Sequence, residues 1–173
     1  MALFCNFLPV HPLLLIKVVN FREFYKEHRD RLFAYLMRST GDYHLSSDIL
    51  QESFTRYLAK YGDDGQHPAL LYAIARNTLV DGHRKKRRDT TLFDEPELRH
   101  PNPETHLLVR EDYRRVLAAM QKLAPEERDV LSLVVSSDLS YREIARVTGT
   151  NEGNVKVRVH RARVKLRKML NEG

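Results

Sequence analysis

The sequence is short of the residues that several common classes of protein depend on. Its 173 residues include one cysteine, Cys5, and no tryptophan. A single cysteine excludes an intrachain disulfide framework and a site built from several thiolates, which fits a reducing compartment. No two of the eight histidines stand three or four residues apart, the spacing of a helical metal pair. Because phosphate-binding glycine loops and nucleophile motifs are also missing, the sequence predicts neither an enzyme nor a bound cofactor or metal.

The first 19 residues are apolar but do not follow the layout of an export signal. The run contains no basic residue before Lys17 and is interrupted by Pro9, His11 and Pro12. A signal peptide begins with positive charge, and a membrane-spanning helix needs about 20 apolar residues. We therefore expect a cytoplasmic protein. Three interpretations of residues 1–19 stay open: a start codon assigned too early, a segment that packs on the first domain, or a tether close to a membrane.

Positive charge is in excess and is concentrated in two places. The formal net charge is +6 and the isoelectric point is near 9.5. Five consecutive basic residues occupy positions 84–88, and seven of the remaining 24 lie within 156–168. Polyanions are the natural partners of such a protein. Two separated basic patches predict two separate contacts with nucleic acid.

Helical periodicity indicates two small all-α domains joined by a flexible linker. In the first, residues 20–88, Asn20, Ser46 or Ser47, and Pro68 are expected to open three helices. The next segment, 89–108, is acidic, contains prolines and shows no periodicity, so it is interpreted as the linker. Periodicity resumes in the second domain, residues 109–173.

The most specific pattern is a helix-turn-helix over 140–170. Ser140 to Glu143 form a capping box, Gly149 marks the turn, and Asn151 caps the last helix. On that helix one face is apolar and the opposite face is polar and basic, which suits a helix laid in the major groove. The side chains expected at the DNA are Tyr141, Arg142, Glu152, Gly153, Asn154, Lys156, Val157, Arg158, His160, Arg161 and Lys165. An ordinary solvated basic helix is the alternative.

Two further polar strips lie in the first domain. Asp48 and Glu52 are four residues apart and share a helix face beside Gln51, while Phe54 points either inward or to a partner. Asn77 and Asp81 begin a second strip that continues into the basic cluster. Such a strip can hold an unpaired strand by charge and by pockets for unstacked bases. Tyr72 is either a stacking residue or part of the core.

These motifs together resemble the extracytoplasmic-function (ECF) sigma factors of the sigma-70 family. The segments 123–131, 140–145, 151–156 and 160–163 resemble its region 4, and 48–54 with 71–77 resemble its region 2. The resemblance covers about residues 20–170. It implies a region 2 helical bundle and a region 4 helix-turn-helix.

The resemblance also implies a function and partners. Region 4 would read the promoter −35 element as duplex, and region 2 would capture the −10 element as it melts. The −10 contacts would be Asn77, Asp81, Arg84, Lys85, Arg87 and Arg88, and the contacts with core polymerase would be Asp48, Gln51, Glu52 and Phe54. The expected partners are core RNA polymerase, through its clamp and flap regions, promoter DNA, and an anti-sigma factor, with no small-molecule substrate. Leu70 stands before the −10 helix where the family usually has Trp, a departure that bears on packing or base capture there. Asn154 and Val157 stand where the family often has Thr and Ser, so a −35 consensus does not transfer to this chain.

One alternative function needs a different architecture. A helix-turn-helix regulator that binds operators alone needs a dimer interface or a ligand domain. Residues 20–88 offer neither clearly.

Overall fold

The chain forms seven helices in the part that the computed structural model describes, residues 12–62, 67–89 and 111–171. Side chains are described within 21–62, 67–81 and 112–171. The elements are α1 (Pro12–Thr40), α2 (Tyr43–Tyr61), α3 (Pro68–Asp89), α4 (Glu111–Gln121), α5 (Pro125–Ser136), α6 (Tyr141–Thr148) and α7 (Glu152–Asn171). The predicted linker, apart from Asp89 at the end of α3, and residues 1–11 lie outside the described residues. None of the described helices is long and apolar enough to cross a membrane.

Helices α1, α2 and α3, the N-terminal group, pack around an aromatic core. Phe24 of α1 stacks on Tyr57 of α2, with ring centroids 5.0 Å apart, and meets Phe54 edge-on. Leu71 of α3 is fully buried beside them. The predicted periodicity of this domain is therefore confirmed.

Two predicted helix starts in the N-terminal group are wrong. Helix α1 begins at Pro12, so Asn20 lies inside it; proline is favoured in a first turn, where its missing N–H costs no hydrogen bond. Helix α2 is capped by Asp42, whose side chain accepts a 3.0 Å hydrogen bond from the Leu45 N–H. Ser46 is buried within that helix and donates its hydroxyl to the Asp42 carbonyl.

Helices α4 to α7, the C-terminal group, follow their sequence signals closely. Pro125 occupies the first turn of α5. At α6 the Ser140 side chain accepts from the Glu143 N–H, and the Glu143 carboxylate accepts from the Ser140 N–H at 2.8 Å, completing the capping box. Gly149 ends α6 at a φ of 66°, a left-handed conformation that a side chain would strain. Asn151 caps α7 by accepting a 2.8 Å hydrogen bond from the Asn154 N–H.

The two groups pack directly against each other, and we call this packing the closed arrangement. Helix α1 lies against α5 and α4, while α3 lies against α6. Gln121 at the end of α4 donates to the carbonyl of Arg38 at 3.0 Å, and it leaves so little room that a Cβ on Gly41 would lie 3.1 Å from its side chain. The buried apolar side chains form one cluster that spans both groups.

Candidate nucleic-acid interface

Helix α7 is held by one apolar face and presents the other to solvent. Val155, Val159 and Ala162 are buried in the core, and Leu166 packs against it, as the helical spacing predicts. This anchoring fixes the rotation of the helix about its axis. The opposite side of α7 therefore has one defined set of side chains to offer a ligand.

The exposed face of α7 contains most of the residues predicted to contact a −35 duplex. Arg158 is half-buried at the edge of this face, and Glu152 is only partly exposed at the start of the helix. The exposed members are Gly153, Asn154, Lys156, Val157, His160, Arg161 and Lys165. On the preceding helix Arg142 is exposed, whereas Tyr141 is half-buried and packs against the core.

The first turn of α7 is organised by local contacts. Asn154 donates its side-chain amide to the hydroxyl of Thr150 at 3.2 Å. Lys156 and Glu152 form an ion pair of 2.9 Å, and its hydrogen bond raises the pKa of Lys156 and lowers that of Glu152. The Lys156 charge is thus partly compensated before any phosphate arrives. A Cβ at Gly153 would lie 3.3 Å from the capping oxygen of Asn151, so the glycine also protects the cap.

Lys165 forms an ion pair with a residue of another helix. Its ammonium lies 2.8 and 2.9 Å from the two carboxylate oxygens of Glu127 on α5, and Glu127 is buried. Sequence reasoning missed Glu127, because its pattern is only that of an acidic residue in a first helical turn. This ion pair links α7 to α5 and was not predicted from the sequence, while the predicted contact of Lys165 with phosphate stays a prediction.

Helix α3 carries the strip predicted for the −10 element. Asn77 and Asp81 are exposed on it. The helix continues to Asp89, so its last turns include the basic cluster. The side chains of Arg84, Lys85, Arg87 and Arg88 lie outside those that the structure describes. Tyr72 belongs to the core, as only 1% of its surface is exposed, and its hydroxyl donates to the carbonyl of Ser136 at 3.2 Å.

Helix α2 presents the acidic face predicted for a protein partner. Asp48, Gln51 and Glu52 are exposed, and Glu52 pairs with Arg56 at 2.5 Å. Phe54 does not join this face. It is buried against Phe24 and other aromatic rings of α1, because it lies on the inward side of the helix. The prediction that Phe54 contacts a partner is corrected to a role in the core.

Several polar side chains also join the two groups, and sequence reasoning did not predict these pairs. Asp129 accepts hydrogen bonds from the Tyr35 hydroxyl and from Arg76. Arg38 donates to the hydroxyl of Ser136 at 2.7 Å. An exposed ion pair joins Arg31 to Asp138. These pairs connect residues far apart in sequence, so no local pattern marks them.

The described residues contain no cluster of histidine, cysteine, aspartate and glutamate that could hold a metal ion. Two cavities lie at the contact between the groups, with volumes of about 330 Å³ and 280 Å³. Both are lined by residues from each group, including His28 in the larger one and Asp129 in the smaller.

Comparisons with known proteins match both groups of helices. Residues 24–89 match the family description "Sigma-70 region 2", and residues 113–166 match "Sigma-70, region 4". The ECF RNA polymerase sigma factor SigM of Bacillus subtilis is 28% identical over 160 residues, which are 87% of this chain and 95% of SigM. The ECF RNA polymerase sigma factor EcfG of Rhodopseudomonas palustris is 33% identical over 145 residues, which cover 80% of this chain and 78% of EcfG.

A solved structure shares the arrangement of helices. It is the sigma factor RpoE from Bartonella quintana in complex with the anti-sigma factor NepR. The match has a TM-score of 0.75 at 24% identity and covers 87% of this chain and 96% of RpoE. At 24% identity, the structural similarity to RpoE establishes a shared fold.

Proposed function

The chain belongs to the ECF sigma factors of the sigma-70 family, and from that membership we propose which of its surfaces carry out promoter recognition. It directs promoter-specific initiation by binding core RNA polymerase and the −10 and −35 elements. In our proposal residues 20–88 act as region 2 and residues 109–173 as region 4, connected by 89–108. The observation that carries the proposal is the anchored helix α7 with its opposite face exposed.

The exposed face of α7 would read the −35 element. In a helix-turn-helix the second helix enters the major groove and its first turns meet base edges. Arg161 and Arg158 have the chemistry to bind guanine with two hydrogen bonds, and Asn154 to bind adenine in the same way. Arg142, at the start of α6, would hold a phosphate.

The exposed strip of α3 would hold the −10 element once it is melted. Asn77 and Asp81 stand at the start of the strip, and the basic cluster 84–88 follows on the same helix. An unpaired strand is bound by positive charge along its backbone together with contacts to unstacked bases. This division of labour, with duplex at α7 and single strand at α3, requires two separate modules.

The acidic face of α2 would dock on core polymerase. Asp48, Gln51 and Glu52 remain exposed while the two groups are packed together. The closed arrangement therefore leaves the proposed polymerase contact accessible.

The closed arrangement would have to open before both promoter elements are bound. Their names place the elements about 25 base pairs apart, which is roughly 85 Å of B-form duplex. A compact chain of this length is only roughly 40 Å across. The contacts of Asp129, Arg38 and Gln121 between the groups would consequently break when the protein spans a promoter.

Two further features of the proposal concern partners and place of action. An anti-sigma factor is a partner of the structurally similar RpoE, and we propose the same class of partner for this chain. The chain would act in the cytoplasm, where its polymerase and promoters are, and would contribute no catalysis of its own.

Transcription with purified components tests the proposal. Core RNA polymerase of the host bacterium, with and without the full chain, would transcribe fragments of the host genome, and start sites would be mapped. We expect discrete start sites only when the chain is added, preceded by shared −35 and −10 sequences. No defined start site would contradict the proposal. Sequence-specific footprints by the chain alone, as a dimer, would instead favour an operator-binding regulator.

A further inference from the structure

Two exposed valines lie on the side of α7 that points directly away from the core. At about 100° of rotation per residue, Val157 and Val164 lie within about 20° of the direction opposite the buried face of Val155, Val159 and Ala162. They are 47% and 53% exposed, which makes them two of the most exposed large apolar side chains among the described residues. Basic and polar side chains surround them on both sides.

Solvation alone does not account for valine at these positions. Valine is a poorer helix former than alanine, lysine or arginine, because its branched Cβ restricts χ1 against the preceding turn. A helix that only needed to be soluble and basic would gain stability from almost any of those residues. An exposed valine inside a nucleic-acid-binding face therefore points to an apolar contact in the bound state.

The major groove offers one apolar group to such a side chain. The C5-methyl of thymine projects into the groove, and small apolar side chains discriminate thymine by contacting it. Asn154 precedes Val157 by three residues and Arg161 follows it by four, so Val157 stands between two side chains that can read bases by hydrogen bonds.

We propose that Val157 is a specificity-determining residue that recognises the methyl group of a thymine in the −35 element. This thymine would lie between the bases that Asn154 and Arg161 read. This inference rests on the proposed function of α7. Val164 faces the same way but lies about 10 Å farther along the helix axis, away from the N-terminal turns that approach base edges. It therefore serves as a matched control.

Replacement of thymine by uracil removes only the methyl group and tests the proposal directly. Duplexes carrying a −35 element would first be selected from a random library by the full chain bound to core RNA polymerase. Each thymine of the selected element would then be replaced in turn by uracil, and the dissociation constant would be measured for the wild type, Val157→Ala and Val164→Ala. Helical content measured by circular dichroism would verify that each variant folds.

We expect one thymine at which uracil weakens wild-type binding about fourfold, the effect of burying one methyl-sized group, ~0.8 kcal/mol. Val157→Ala should bind the thymine and uracil duplexes equally, whereas Val164→Ala should keep the wild-type difference. The proposal is overturned if no thymine shows methyl dependence, if Val157→Ala retains it, or if Val164→Ala loses it as well. Failure to select any common −35 element would overturn the proposed function of α7 together with this inference. A selected element without methyl dependence would overturn this inference alone, so the two failures are distinguishable.

Discussion

The carboxylate of Asp129 on α5 accepts a hydrogen bond of 2.8 Å from the hydroxyl of Tyr35 on α1. Its second oxygen lies 2.6 Å from Nε of Arg76 on α3. One side chain of the C-terminal group therefore contacts two helices of the N-terminal group. Tyr35 is fully buried, and Asp129 accepts the hydrogen bond of its hydroxyl in the closed arrangement.

Asp129→Ala should weaken the closed arrangement by roughly 2–3 kcal/mol, because it leaves the Tyr35 hydroxyl and the Arg76 guanidinium unpaired. Energy transfer between dyes placed on α2 and α7 would measure the opening, and we expect lower transfer efficiency in the variant. Asp138→Ala is the matched control, since it also removes an ion pair between the groups, but an exposed one worth less than ~1 kcal/mol. Equal transfer in all three proteins would show that Asp129 does not hold the groups together.

Alkaline pH should open the same contact. Burial raises the pKa of Tyr35 well above its ordinary value, and the neighbouring Asp129 charge raises it further. The folded state thus favours the neutral phenol, so its contribution is fully present below the unfolded pKa of about 10 and is lost as the pH rises beyond it. Unfolding in urea from pH 7 to 12 should show a steep alkaline loss of stability that is smaller in Tyr35→Phe. An identical alkaline slope in both proteins would exclude Tyr35 as a source.

The local elements of this fold were predictable, and the contacts between them were not. Ser140, Gly149 and Asn151 act within four residues of their own position, so sequence alone located α6, the turn and α7. Asp129 and Tyr35 are hydrogen-bonded but stand 94 residues apart in the sequence, and helical periodicity does not predict such a pair. The same limit explains Lys165, whose own helix looks like a phosphate-binding face while its partner Glu127 lies 38 residues earlier.

The starts of α1 and α2 were predicted less well. For α2, several polar residues near the start could each cap the helix. Ser46, Ser47 and Asp42 are all good capping residues, and the choice falls on Asp42 once Gly41 has turned the chain after α1. For α1, the apolar residues after Pro12 continue the helix that the pattern at Asn20 was expected to begin.

Lys165→Ala should destabilise the C-terminal group more than it weakens DNA binding. The change leaves the buried Glu127 carboxylate without its partner, at a cost of roughly 1–3 kcal/mol. Arg163→Ala removes one positive charge from the exposed side of the same helix and serves as the control. Thermal unfolding should separate the two variants, with the larger loss for Lys165→Ala. A smaller salt dependence of DNA binding in Lys165→Ala at unchanged stability would instead show that Lys165 acts mainly as a phosphate ligand.

Glu52→Gln should reduce affinity for core polymerase without changing the fold. Glu52 is exposed on α2 and pairs there with Arg56, so the substitution removes charge from the proposed docking face and leaves the core intact. We expect a loss of about three- to tenfold in affinity, typical of one contact on a charged rim. Glu23→Gln changes an exposed carboxylate on α1 and should bind polymerase normally. Equal affinity of the two variants would remove Glu52 from the interface.

Arg161→Ala should reduce discrimination between promoters rather than binding to DNA in general. Arg161 is exposed in the middle of the outer face of α7, one helical turn beyond Val157, and a bidentate contact with guanine is worth about 1–3 kcal/mol. The full chain bound to core polymerase would be measured on a promoter with its own −35 element and on one with that element scrambled. We expect affinity for the first to fall about tenfold or more and affinity for the second to change little, so that the ratio approaches one. Arg163→Ala again supplies the charge-matched comparison, because it removes one exposed positive charge from the same helix. A residue that contacts only phosphate weakens binding to both promoters alike and lowers the slope of affinity against salt. If Arg161→Ala weakened binding to both promoters alike, Arg161 would be a phosphate ligand. Base reading by α7 would then depend on Asn154, Val157 and Arg158.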